Sequence, residues 1–416
     1  MHFLMKKTAL IAMAAVLCFA ACDKEEGKSL SPDKQKSYIQ DVAVEAIEML
    51  DIDNWKPQAN IIAGTIGEKG ALSNAKPDAN LDAWAKGFED ITELRLSAIK
   101  GAFTVRDGVV SRADSDKLTL DYSINGVLPC HAEIVVEDSE MAIALPEDFF
   151  DDAESDSAYE QYRIKPLTPD AEPSQPVMLW IPKSIDASLT AAGEEGLRMH
   201  IGADINMAGA EPTPYDTYSI SYSFQSGDYT VSLDKAYYSP TEIEYSSSFK
   251  KGQTTILAGS FLAKGELAWR QWEDDYAVDK NATTGTIEVS ASLLDKVSVN
   301  GLVDYTKYIK LVNNASITSE AEAKKFARDL EKCFDISLSC KGSKQARLGF
   351  AYLGEEGIQP VIRFEDGSSY QLPEEYFSED AFYGVIEAAD NLMSRIEDTF
   401  VELGLLKKEN IEPSAE

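Results

Sequence analysis

Any chemistry in this chain has to come from a short list of residues. Beyond position 2 the only imidazoles are His131 and His200, and beyond Cys22 the only thiols are Cys130, Cys333 and Cys340. Cys130 and His131 are adjacent, but neighbours in a strand point to opposite faces. The run Leu128 to Val136 alternates. Leu128, Cys130, Ala132 and Ile134 share one side, and His131 shares the other with Glu133. This pattern makes Cys130 a core thiol and removes a Cys–His dyad. His200 lies on the side of Arg198, opposite Met199 and Ile201, and reads as a partly exposed strand residue. Cys340 alternates with Ile336 and Leu338, and Cys333 falls on an apolar helix face; both read as small buried hydrophobes.

The motifs that concentrate chemistry are missing. No HExxH, CxxC, GxxxxGK[ST] or GxSxG pattern occurs. Gly64-x-x-Gly67-x-x-Gly70 has the wrong spacing for a dinucleotide loop, and no clear strand precedes it. SxxK matches, at Ser31, Ser97 and Ser232 among others, are too loose to mark a nucleophile. Glu147, Asp148, Asp151, Asp152, Glu154 and Asp156 could offer carboxylate oxygens to calcium, but they lack the EF-hand spacing and turn glycine, so a solvated acidic loop is the preferred reading. Asp275, Asp279 and Asn281 make a weaker set. Trp269 and Trp272 precede Glu273, Asp274 and Asp275. Aromatic faces beside carboxylates suit sugar rings, which makes the two tryptophans a candidate glycan contact; sheet packing is the competing reading. Glycoside hydrolysis needs two carboxylates at a set separation, and 71 acidic residues leave no way to choose a pair. The expectation is no catalytic residue, no metal ligand and no cofactor.

The elements that would position these residues can be read from periodicity. Residues 34–51 carry Tyr38, Ile39, Val42, Ala43, Ala46, Ile47 and Leu50 at i, i+3/i+4 spacing, an amphipathic helix that Ser31-Pro32-Asp33 can start. Residues 54–80, rich in Asn, Gly, Lys and Pro, read as loop, and Leu81 to Leu96 as helix. Lys117 to Ile124 and Leu128 to Val136 alternate as strands; Glu137 to Glu140 reads as a turn from which Met141 to Leu145 returns. Val177 to Leu311 reads almost wholly as antiparallel strand. A helix is expected at Glu320–Phe334, then three strands, then a closing helix over Ser378–Leu405. The fold class is therefore α+β, a large antiparallel sheet region with flanking amphipathic helices. The segments are 34–150, an acidic Pro-rich linker at 151–176, a central β region at 177–318, a C-terminal unit at 319–406 and a tail at 407–416.

Composition excludes several roles. Lys and Arg number 39 against 71 acids, a net charge of −32, with 44% hydrophobic residues. The apolar content is enough for a packed core, so the chain is not a disordered acidic one. A surface this acidic repels phosphate, which argues against nucleic acid as a partner. The same charge disfavours docking on anionic lipid.

The N-terminus supplies an address. Lys6 and Lys7 precede a fourteen-residue apolar stretch, Thr8 to Ala21, too short to cross a bilayer that needs about 20 residues. It reads as a signal peptide over residues 1–21. Phe19-Ala20-Ala21-Cys22 resembles the lipobox of bacterial lipoproteins, in which the cysteine becomes the lipid-bearing N-terminus; Phe19 stands where leucine is usual. The acidic Asp23-Lys24-Glu25-Glu26 resembles the export tag of Bacteroidetes surface lipoproteins, and a solvated tether over residues 22–33 is the other reading. The whole pattern resembles the uncharacterised Bacteroidetes lipoproteins. That resemblance implies lipid attachment at Cys22 and an outer-membrane location facing periplasm or cell surface, with no activity attached.

One internal feature remains. At an offset of 228, Leu118–Gly126 aligns with Ala346–Gly354 and Ile134–Asp138 with Ile362–Asp366; Leu145-Pro-Glu-Asp-Phe-Phe150 then matches Leu372-Pro-Glu-Glu-Tyr-Phe377. Chance likeness between hairpins competes with a true duplication. The functional expectation is a lipid-anchored envelope binding or structural protein without catalytic activity, holding an apolar small molecule, a lipid or an envelope protein; the alternative is glycan binding through Trp269 and Trp272.

Overall fold

A computed structural model describes residues 29–67, 69–73, 75–86, 93–145, 177–206, 216–265, 285–404 and 406. The elements run α1 (Pro32–Glu48), α2 (Ile52–Ile66), β1 (Lys76–Pro77), α3 (Ala79–Lys86), β2 (Glu93–Leu94), β3 (Gly101–Arg106), β4 (Val109–Ala113), β5 (Leu118–Ile124), β6 (Leu128–Leu145), β7 (Val177–Ala191), β8 (Glu194–Asn206), β9 (Thr217–Ser226) and β10 (Tyr229–Ser239). They continue with β11 (Glu242–Lys251), β12 (Thr254–Gly265), β13 (Gly285–Leu293), β14 (Val297–Asp304), α4 (Tyr305–Asn313), α5 (Glu320–Glu331), β15 (Phe334–Cys340), β16 (Ser343–Tyr352), β17 (Ile358–Phe364), α6 (Pro373–Tyr376) and α7 (Tyr383–Glu402). The described β structure comprises 17 strands, mostly antiparallel, with a few helices, an α+β composition. The pairs β1–β4, β2–β7 and β3–β5 are parallel.

The chain divides into two compact units, Met1–Asp51 with Leu233–Met393, and Ile52–Ser232 with Ser394–Glu416. These boundaries differ from the segments read along the sequence. Composition is read along the chain, whereas strand and helix packing gathers distant stretches.

In the unit built on residues 233–393, strands β11 to β17 follow one another as antiparallel neighbours. Lys341 and Gly342, at φ 46° and 79°, make the two-residue turn between β15 and β16; positive φ at both positions gives a turn whose twist matches the strands. Helix α1 buries Ile39, Val42, Ala43, Ala46 and Ile47 against Leu293, Val297, Leu338, Ala346, Phe364, Tyr376 and Phe382. That is the stripe its i, i+3/i+4 spacing predicted. Each hairpin turn beneath it sends up a lysine. Lys341 Nζ lies 4.8 Å from the Tyr38 ring centre, Lys296 Nζ is 2.5 Å from Glu45, and Lys251 Nζ donates to the Met49 carbonyl at 3.1 Å. The last contact places a cation at the helix C-terminus, where the aligned peptide dipoles favour one. Helix α5 lies over β16, with Ala323, Ala327 and Leu330 buried.

In the unit built on residues 52–232, β3 to β9 form the sheet. Helix α2 packs Ile61 into a cluster with Tyr122, Ile124, Cys130 and Ala191. Gly64 is needed there: a Cβ would stand 2.5 Å from Ile124 Cγ2. The last turns of α7 belong to this unit, where Phe400 meets Trp55 at 5.6 Å and Lys56 pairs with Glu402 at 3.1 Å.

Several expectations need correction. Residues 54–80 were expected to be loop, yet Ile52–Ile66 is helical despite Pro57. Burial of Ile52 and Ala59 on one side of the helix and of Ile61 on the other outweighs the lost hydrogen bond and unfavourable propensities. The expected helix Leu81–Leu96 does not reach its expected end: α3 covers Ala79–Lys86, residues 87–92 lie outside the described residues, and Glu93–Leu94 is a strand pairing with Met178–Leu179. The expected turn at Glu137–Glu140 is absorbed into one strand, β6, whose pairing with β7 shifts register around Asp138 and Ala142. A local irregularity of this kind lets a polar run stay in a ladder. Tyr305–Asn313 is helix rather than strand, because the Asp304 carboxylate accepts from the Lys307 N–H and caps it.

Both stretches of the internal repeat that fall on described residues are antiparallel pairs, β5–β6 and β16–β17. Their registers differ: Leu118 faces Ile134, whereas the aligned Ala346 faces Phe364.

Candidate functional site

The strand order of the 52–232 unit sets its two faces. Across β5 to β9, Leu118 faces Ile134, Ile134 faces Ala187, Ala187 faces Met199 and Met199 faces Phe224. A second row runs Val136, Ile185, Ile201 and Tyr222. These rows make an apolar face. Helix α2 seals one end of it, over Tyr122, Ile124 and Cys130. Beyond that seal lies a hollow of about 250 Å³, lined by Phe103, Leu118, Thr119, Leu120, Ala132 and Ile134, which presents apolar atoms only. Ile134 is 37% exposed at its mouth. Trp84 of α3 backs the hollow edge-on to Phe103 at 5.8 Å, with the Arg112 guanidinium 4.7 Å from the Trp84 ring centre.

The sealed end is polar only where partners exist. The Tyr122 hydroxyl and Thr65 Oγ1 are 2.7 Å apart, and Thr65 donates in turn to the Ile61 carbonyl. Burial pushes the Tyr122 phenol up to about 12, against a smaller downward pull from Thr65. Burial also raises the Cys130 thiol, and Cys333 likewise. Cys130, Cys333 and Cys340 are 4%, 4% and 1% exposed. Thiolates are the reactive form, so the folded protein should leave these three thiols unreacted with an aromatic disulfide reagent at pH 8. Full reaction is expected only after denaturation; a fast native phase at any of the three would show the burial to be wrong.

The opposite face carries the imidazoles. His131 Nδ1 lies 2.8 Å from Asp121 Oδ1, and His200 Nδ1 lies 2.8 Å from Asp186 Oδ1. Both pairs are cross-strand neighbours in register. The alternation read from sequence thus separates Cys130 from His131, and their partners show it: Tyr122 for one, Asp121 for the other. Both Asp partners were missed, since they lie 10 and 14 residues from their histidines and only pairing brings them together. His200 Nε2 and Ser221 Oγ stand 3.3 and 2.7 Å from the point where a Gly202 Cβ would sit. Asp186, His200 and Ser221 therefore come in the order of orienter, base and hydroxyl. They do so on an open ladder whose amides are taken up by strand pairing. Acyl transfer also needs donors preorganised for an oxyanion, and the described residues around Ser221 supply none.

Cys22, Trp269 and Trp272, the acidic run 147–156 and the Asp275–Asn281 set lie outside the described residues. Among the described residues no cluster of three or more His, Cys, Asp or Glu could hold a metal ion. No described helix is long and apolar enough to cross a membrane. No protein-family model, no curated protein and no solved structure matches this chain.

Proposed function

We propose that this chain is a lipid-anchored cell-envelope protein that works by binding, and that its ligand is apolar and sits on the β5–β9 face. The hollow lined by Phe103, Leu118, Leu120, Ala132 and Ile134 carries the reading. Binding sites are concave and mostly apolar, and an exposed apolar surface calls for an occupant in a way that scattered exposed side chains do not. The apolar row that leaves the hollow toward Met199 and Phe224 extends the same surface. Attachment at Cys22 and an outer-membrane address rest on the N-terminal resemblance. In the same reading the paired stretches 118–138 and 346–366 descend from one duplicated hairpin.

The test is mass spectrometry of solvent extracts from protein beginning at Asp23. A stoichiometric lipid or other apolar molecule is expected. Ile134→Glu places a carboxylate at the half-open mouth, where a bound apolar group would desolvate it at a cost of several kcal/mol. It should lower occupancy about 100-fold while leaving the folded protein intact. Extracts that are empty from well-folded protein, or occupancy unchanged by Ile134→Glu, would overturn the reading.

A further inference from the structure

The backbone at Leu30 is gripped from two sides. Leu30 N–H donates to Gln345 Oε1 at 2.8 Å, and Gln35 Nε2 donates to the Leu30 carbonyl at 2.7 Å. Both glutamines are buried, at 0% and 2% exposure, and the Tyr376 hydroxyl donates to Gln35 Oε1 at 3.2 Å. Buried amides held this completely fix geometry, because each broken bond leaves an unpaired polar group out of water. Gln345 follows the Lys341-Gly342 turn, so the chain enters the 233–393 unit at its hairpin-turn end. Helix α1 then crosses that end, meeting the turns at Lys341, Lys296 and Lys251 in order.

We propose that this turn end, with α1 lying across it, is the surface that faces the lipid bilayer. The inference rests on the attachment of lipid at Cys22. Seven residues lie between Cys22 and Leu30, and the eight steps from one to the other span at most about 28 Å when fully extended. The opposite end of the unit is a strand length away. β16 has 10 residues and β12 has 12, or roughly 33 and 40 Å. A tether of that length cannot run from the grip at Leu30 past the far end to a membrane there. The loop between β16 and β17, with Glu355, therefore points away from the lipid, toward whatever the protein meets.

The experiment uses the full chain, acylated by its own processing, in phosphatidylcholine vesicles that carry a nitroxide on the lipid headgroup. Gln253→Cys at the turn end and Glu355→Cys at the far end are both exposed positions and take a fluorophore; the three native thiols of the folded part are buried. Quenching of the Gln253 probe is expected to exceed that of the Glu355 probe several-fold. Equal quenching, as for a protein lying on its side, or the reverse order would overturn the inference. Flotation with the vesicles and the mass of the Cys22 peptide are read on the same sample. Protein that floats with acylated Cys22 but shows the wrong order defeats the orientation alone. An unmodified Cys22 on protein that does not float defeats the anchor and, with it, the orientation.

Discussion

Replacing Tyr376 with alanine is expected to cost the protein about 4 kcal/mol, the upper range for removing a buried aromatic ring. Tyr376 is 0% exposed. Its ring lies 5.6 Å from that of Phe364 and meets Phe377 edge-on at 4.7 Å, so it fills the space between β17 and α6. Its hydroxyl also satisfies Gln35 Oε1, a buried acceptor on α1. Alanine would open a cavity and strand that acceptor together. In a unit of this size the loss corresponds to a fall in the melting midpoint of roughly 8–16 °C. Tyr376→Phe separates the two contributions. It keeps the ring and strands only the Gln35 oxygen, for which about 1–2 kcal/mol is expected. Chemical denaturation of both variants checks the account. If Tyr376→Ala lost no more than Tyr376→Phe, the ring would not be holding this core.

The second large effect is expected at Glu331, the last residue of α5. Its carboxylate accepts from Arg363 Nε at 3.0 Å and also bonds Arg347 Nη1, while Arg347 and Arg363 face each other across β16 and β17. Removing the carboxylate leaves two guanidinium groups directly opposite in register, which is unfavourable on a sheet. A fully buried pair broken on one side costs about 3–5 kcal/mol. Glu331 is 15% exposed but Arg347 is 43% exposed, so water recovers part of the loss, and about 2 kcal/mol is expected for Glu331→Gln. The pH dependence has a definite sign. Burial pushes the Glu331 carboxyl up, but Arg363 and Arg347 outweigh it and hold the group below its ordinary value. A depressed carboxylate stabilises the fold fully above its unfolded pKa of about 4.3 and loses that contribution as pH falls through the lower folded value. The difference in unfolding free energy between wild type and Glu331→Gln should be constant near neutrality and shrink below about pH 4. A difference that grew on acidification would contradict the pairing.

How far the sequence disclosed this fold varies element by element. Helix α1 was legible because its stripe repeats without interruption, and β5 and β6 because apolar residues alternate cleanly. Helix α2 was hidden by Pro57, Gly64 and Asn54, residues that punctuate loops in isolation. The burial of Ile52, Ala59 and Ile61 on two sides of the helix and the close approach of Gly64 to Ile124 exist only once the sheet is present. Helix α4 was hidden because Tyr305, Ile309 and Leu311 fit a strand as well as a helix; Asp304 three residues before Lys307 was the usable signal. The candidate site was legible in its strands and invisible as a hollow. Alternation in β5 and β6 says that Leu118, Leu120, Ala132 and Ile134 share a face. It does not say that α2 stops short of them. The Asp121–His131 and Asp186–His200 pairs were out of reach for the same reason, since register between strands is a tertiary fact.

The grip of the three turn lysines on α1 also orders events in time. Residues 32–48 leave the ribosome early, yet their partners at Lys251, Lys296, Lys341 and Tyr376 come some 200 to 340 residues later, after the whole 52–232 stretch has been made. Contacts so distant in sequence form late and slowly. The N-terminal helix must therefore wait with its apolar stripe uncovered until the last strands arrive. That waiting interval is when a holding chaperone would find the chain, and the stripe Ile39, Val42, Ala46 is what it would hold.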